Sequence, residues 1–250
     1  MSNAFSLIGT AWDFKKSQPV FRAVLFWLLF LPMLCLFVLS DYIANEPYFS
    51  SATWEDVATG TVNPHLLIGT LFLQILIVVL LLWGIASVTL VGKRLVQSRA
   101  GRARTSFKTV RRQAAHLVTN LFLTSILRGC ITLLWSLLLV VPGIVYSVRT
   151  FFYFVAILCE GKGYREALNQ SSKVVRGQTW VALKQICGLC AVIFFPLIVI
   201  DSLIVQLVYL LAPALLRITY LSSSYLISLG LLLFLLSSMT LYAELQSSSS

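Results

Sequence analysis

Residues 91–113 carry eight cations and no anion: Lys93, Arg94, Arg99, Arg102, Arg104, Lys108, Arg111 and Arg112. Ammonium and guanidinium groups at that density suit the capture of phosphate oxygens, and beside apolar runs the phosphates at hand are lipid headgroups, worth ~1 kcal/mol per Lys or Arg. Arg149 and Asp201 lie inside apolar runs, where an ionised side chain costs ~2.5–3.5 kcal/mol even on insertion scales. By helical rise Arg149 falls ~9 Å from an outer turn and Asp201 ~15 Å from the outer end of its span, an offset that an arginine side chain bridges. The expectation is an Arg149–Asp201 intramembrane ion pair. Its structural use is to register two spans; its functional use is a proton or ion pathway.

Other chemistry is sparse. Cys187-Gly188-Leu189-Cys190 has redox spacing but lies in an apolar run rather than at an accessible helix N-terminus, so it reads as small-residue packing. Cys35, Cys130 and Cys159 show no pairing pattern. The two histidines, His65 and His116, fall on opposite sides of the bilayer in the topology below. No metal-ligand spacing, phosphate loop or nucleophile elbow is found. No catalytic residue, cofactor or metal is expected.

The elements that must position these residues are membrane spans. Apolar residues make up 58% of 250 and charged residues 11%, against about 25% charged in soluble chains. The mean hydropathy is +0.89. The net charge of +10 comes from cations flanking spans, which favours a membrane surface and argues against nucleic acid. The fold class expected is all-α: a single polytopic bundle with spans near 20–40, 66–91, 121–141, 144–159, 181–211 and 225–242. In-plane helices are expected near 4–17, 106–120 and 163–177. The first run exceeds a signal-peptide core and lacks a cleavage site, so it reads as an uncleaved span. Pro142-Gly143 marks the turn between the third and fourth spans. The fourth, at sixteen residues, covers ~24 Å of a ~30 Å hydrocarbon core; one kinked helix over residues 121–159 is the alternative. In the 163–177 helix an apolar face of Tyr164, Leu168, Ser171 and Val175 opposes Lys173 and Arg176.

Orientation follows from charge. The loop of residues 41–65 holds Asp41, Glu46, Glu55 and Asp56 with no Lys or Arg. Cations collect in cytoplasmic loops, so both termini and the eight-cation loop are placed inside. Every Lys and Arg except Arg128, Arg149 and Arg217 then falls on that side.

Residues 142–180 carry a run of spaced signals: Pro142-Gly143-Ile144, Arg149, Glu160-Gly161, Glu166-Ala167-Leu168, Ser171, Arg176-Gly177 and Trp180. This stretch resembles the YciC-like bacterial inner-membrane proteins and the related membrane domain attached to some glycerophosphodiester phosphodiesterases. It departs from their pattern at Ser172, where an aromatic is common, and at Val175, where Thr is common. The resemblance covers about forty residues and implies an architecture and a bacterial cytoplasmic membrane, not a reaction.

The leading functional expectation is a non-enzymatic membrane-organising or partner-binding protein. It would engage anionic lipid headgroups through Lys93, Arg94, Arg99, Arg102, Arg104, Lys108, Arg111, Arg112, Lys173 and Arg176. A protein partner or second copy is unspecified. The alternatives are a transporter or channel-like protein with Arg149 and Asp201 in its path, and an integral lipid-modifying enzyme.

Overall fold

The structure, a computed structural model, describes residues 3–45, 64–96 and 107–249. Among the described residues there is no strand. Helix is what the composition requires, because a backbone in lipid must satisfy its N–H and C=O groups within the segment. The elements are α1 (Ala4–Ser17), α2 (Val20–Asn45), α3 (Pro64–Val96), α4 (Phe107–Leu138), α5 (Val140–Arg149), α6 (Tyr153–Glu160), α7 (Tyr164–Val175), α8 (Thr179–Leu211) and α9 (Thr219–Ser249), with a 3₁₀ segment, Pro213–Ile218, before α9. Six stretches are long and apolar enough to cross a bilayer: α2, most of α3, α4, α5 with α6, α8, and the 3₁₀ segment with α9. The chain is a multi-pass membrane protein.

Several boundaries differ from those read in the sequence. The expected in-plane helix at 106–120 and span at 121–141 are one continuous helix, α4. No Gly or Pro interrupts residues 107–128, so nothing breaks the hydrogen-bond ladder between the basic turns and the apolar ones. The reversal after α4 falls at Leu139, which is extended (φ −158°, ψ 128°), not at Pro142-Gly143. Pro142 instead sits in the first turn of α5, where a missing N–H costs no helical bond. Gly143 lets α5 approach α4: a Cβ there would stand 3.0 Å from Ser136 Cα and overlap its Oγ. The expected span at 144–159 is broken at residues 150–152 into α5 and α6; with the reversal at Leu139, residues 121–159 belong to two candidate spans, the second interrupted, and not to one kinked helix.

Helix α2 contains a wide π-helical turn, Leu25–Phe30, in which the Leu31 N–H reaches back to the Phe26 carbonyl. It lies directly before Pro32, which supplies no N–H to the Leu28 carbonyl. That carbonyl projects against α3 at Gly84, where any Cβ would collide with it.

The packed core sits at one end of the bundle. Leu232, Leu236, Met239, Tyr242 and Leu245 of α9 are buried, with Ala86, Val88 and Val91 of α3, Leu7 and Ala11 of α1, and almost all of α6. Helix α1 therefore docks onto α8 and α9 through its apolar face instead of lying free in the interface. The apolar face of α7 (Ala167, Leu168, Ser171, Val174 and Val175) is likewise buried against other helices. At the other end large apolar side chains are bare, including Phe72, Leu137 to 78% exposure, Leu207 and Leu211. An exposed apolar surface of this extent belongs in lipid.

Candidate functional site

Polar side chains converge where α5 breaks into α6. The break follows Arg149, and residues 150–152 leave backbone groups that a continuous helix would have paired. One hydroxyl satisfies two of them. Ser171 Oγ donates to the Arg149 carbonyl at 2.8 Å and accepts the Phe152 N–H at 3.1 Å. Ser171 is fully buried on the inward face of α7, so that helix is fastened into the break.

Arg128, from α4, closes the other side. Its Nε donates to Thr150 Oγ1 at 3.1 Å and its Nη2 to the Ser147 carbonyl at 3.0 Å. The guanidinium lies 5.3 Å from the centre of the Tyr153 ring, a cation–π distance. The Tyr153 hydroxyl shares a 2.7 Å hydrogen bond with Ser125 Oγ. The Arg128 side chain is thus committed to the start and end of the break.

Arg149 points elsewhere. Its Nε donates to Thr179 Oγ1 at 3.3 Å, and with Gly177, Thr179 and Trp180 it lines a small cavity at the start of α8. Asp201 lies 22 residues further along the same helix, ~33 Å by helical rise, and accepts a 2.8 Å hydrogen bond from Ser223. The expected Arg149–Asp201 ion pair is therefore absent. The depth estimate failed because it counted Arg149 from an assumed outer turn, whereas the helix carrying it ends beside the first turn of α8.

The joint continues into α6. Glu160 accepts a 2.5 Å hydrogen bond from the Tyr242 hydroxyl and stands 3.9 Å from Lys162 Nζ. Gly161 ends α6 with φ +72° and Gly177 follows α7 with φ +89°, left-handed conformations that favour glycine. The spaced motif of residues 142–180 is in this way legible as mechanics: Gly143 sets a close approach, Ser171 bridges the break, Glu160 ties α6 to α9, and Gly161 and Gly177 turn the chain. What the sequence missed is the partner set of Ser125, Thr150, Tyr153 and Tyr242. The one available signal was Ser171 itself, a hydroxyl on an otherwise apolar helix face.

Among the described residues no group of three His, Cys, Asp or Glu side chains has metal-binding geometry. Cys187 and Cys190 are free thiols on α8. Of the expected lipid contacts, Lys108, Arg111, Arg112, Lys173 and Arg176 are exposed, and Lys93 is half-buried. None of the six has a carboxylate at ion-pairing distance among the described residues. The side chains of Arg94, Arg99, Arg102 and Arg104 lie outside the described residues. No protein-family profile, curated protein or solved structure matches the chain.

Proposed function

We propose that this is a non-enzymatic membrane-organising or partner-binding protein that holds anionic lipid headgroups against a basic cytoplasmic face. The observation that carries the reading is the set of exposed cations at Lys108, Arg111, Arg112, Lys173 and Arg176, none paired with a carboxylate among the described residues. Cations left without protein partners beside an apolar surface are satisfied by phosphate. An apolar groove of about 440 Å³ beside them, between α2, α3 and α4, is lined by Trp27, Leu31, Trp83 and Phe107 with Arg111 at its edge. This is a fitting seat for an acyl chain.

The charge asymmetry between residues 41–65 and 91–113 supports both termini inside a bacterial cytoplasmic membrane, as does the resemblance to YciC-like proteins. A transport pathway built on Arg149 and Asp201 loses its basis, since Arg149, on α5, bonds the first residue of α8 while Asp201 lies ~33 Å further along that helix and is bonded by Ser223.

The test is lipid retention. Purified from cells, the protein should carry phosphatidylglycerol enriched over the bulk membrane composition. Replacing Arg99, Arg102, Arg104, Lys108, Arg111 and Arg112 with Gln should remove most of that enrichment. Labelling of a cysteine introduced at position 102 only after the inner leaflet is opened would place the basic loop inside; labelling from outside intact cells would overturn the orientation.

A further inference from the structure

Between α1, the first half of α2 and α9 lies a second cavity, of about 670 Å³, within the roughly 300–1,000 Å³ of ligand pockets. Its wall changes character from one side to the other. Lys15, Lys16 and Arg22 line one part; Phe26, Phe30 and Tyr225 line the other. Phe26 and Tyr225 are half exposed, so the apolar part opens toward the lipid-facing surface. Both lysines are drawn to one place: Lys15 Nζ sits 4.2 Å and Lys16 Nζ 5.5 Å from the centre of the Trp12 ring. None of the three cations has a carboxylate at ion-pairing distance among the described residues. Burial, and then the charge of Lys16, push the Lys15 ammonium below its ordinary pKa, a strain that an anion would relieve.

A second observation points the same way. Gln18 also lines the cavity, is only 9% exposed, and its Oε1 is buried without a hydrogen-bond partner. A buried amide oxygen without a donor is costly, and a turn of the amide into the cavity would bring it to a ligand hydroxyl. The π turn of α2 builds the floor, since Leu25, Phe26 and Phe30 all come from it. Wide turns of this kind recur at functional sites.

We propose that this cavity binds one anionic phospholipid bearing a headgroup hydroxyl. Lys15, Lys16 and Arg22 hold its phosphodiester, the Gln18 amide turns into the cavity so that Oε1 accepts from the hydroxyl, and an acyl chain lies along Phe26, Phe30 and Tyr225. The proposal rests on the anionic-lipid reading above but names a different set of residues. Inorganic phosphate would satisfy the cations and leave the aromatic wall bare, which favours the lipid.

Native mass spectrometry of the full chain in detergent, titrated with phosphatidylglycerol, phosphatidylethanolamine or inorganic phosphate, tests it. One phosphatidylglycerol should bind tightly, and the K15Q/K16Q/R22Q variant should lose about a hundredfold in affinity, about fivefold for each cation removed. The K15R/K16R variant keeps the charge and should bind as the parent does, which separates lost charge from lost fold. The variant lacking the six cations of residues 99–112 should retain this one lipid while losing the broader enrichment. Undiminished binding by K15Q/K16Q/R22Q would overturn the site and leave the basic-face reading standing. Equal binding of inorganic phosphate or phosphatidylethanolamine would overturn the lipid assignment. No enrichment in any form of the protein would overturn both readings.

Discussion

Ser171 and Arg149 are joined by a single hydrogen bond, 2.8 Å from the serine hydroxyl to the arginine carbonyl, while the same hydroxyl takes the Phe152 N–H. A helix break inside a membrane domain normally exposes such groups to a medium that cannot satisfy them. Here one residue from a neighbouring helix supplies both a donor and an acceptor. The joint can exist because α7 is amphipathic with a polar atom placed on its buried side.

Replacing Ser171 with Ala should therefore strand one buried donor and one buried acceptor, at about 1–3 kcal/mol for each. The melting temperature in detergent should fall by several degrees. Ser172→Ala, one position along and off the bridge, should stay close to the parent. Equal melting temperatures for the parent and Ser171→Ala would contradict the bridge.

Gly143→Ala should destabilise the α4–α5 hairpin, since the new Cβ meets the Ser136 backbone as well as its hydroxyl. Thermal scanning should show a clear loss, only partly restored by adding Ser136→Gly, because the Ser136 Cα stays 3.0 Å away. Gly129→Ala meets open space and should be neutral or slightly stabilising.

The spans were legible because hydropathy and charge follow directly from burial in lipid. The joint was not, and the reason is visible at Arg149. Its sequence position fixes its distance from the Leu139 reversal but says nothing of which helix end it faces, and that is set by the break at residues 150–152. Asp201 was placed correctly within α8, yet a depth estimate along one axis could not reveal that Ser223 was already its partner. Gly143 was recognised as special for the wrong geometry. A glycine at a close approach and a glycine at a reversal look alike in a sequence.

A double-mutant cycle on Arg149→Ala and Asp201→Ala should show additive losses, with a coupling no larger than about 0.5 kcal/mol, as for distant sites. Stability in detergent measures it. A large positive coupling would bring back the ion pair that the geometry excludes.

Tyr242→Phe removes the hydroxyl that donates to Glu160 while keeping the buried ring, which packs 5.6 Å from Phe152. Loss of a hydrogen bond to a charged group should cost about 1.5–3 kcal/mol. Glu160→Gln retains an acceptor and should cost less. Chemical denaturation in mixed micelles would order the two, and the reverse order would contradict the assignment.

The Ser171 bridge also sets an order of events during synthesis. Arg149 and Phe152 leave the ribosome about twenty residues before the hydroxyl that satisfies them. Until it emerges, the Arg149 carbonyl and Phe152 N–H need water, so the nascent α4–α5 hairpin is held at the wet edge of the bilayer. Arrival of α7 dries the break. The Tyr242–Glu160 bond then waits for α9, about eighty residues further along the chain and at the centre of the core. A chain stalled before residue 171 should carry a loose, protease-sensitive hairpin, and one stalled beyond it a closed one.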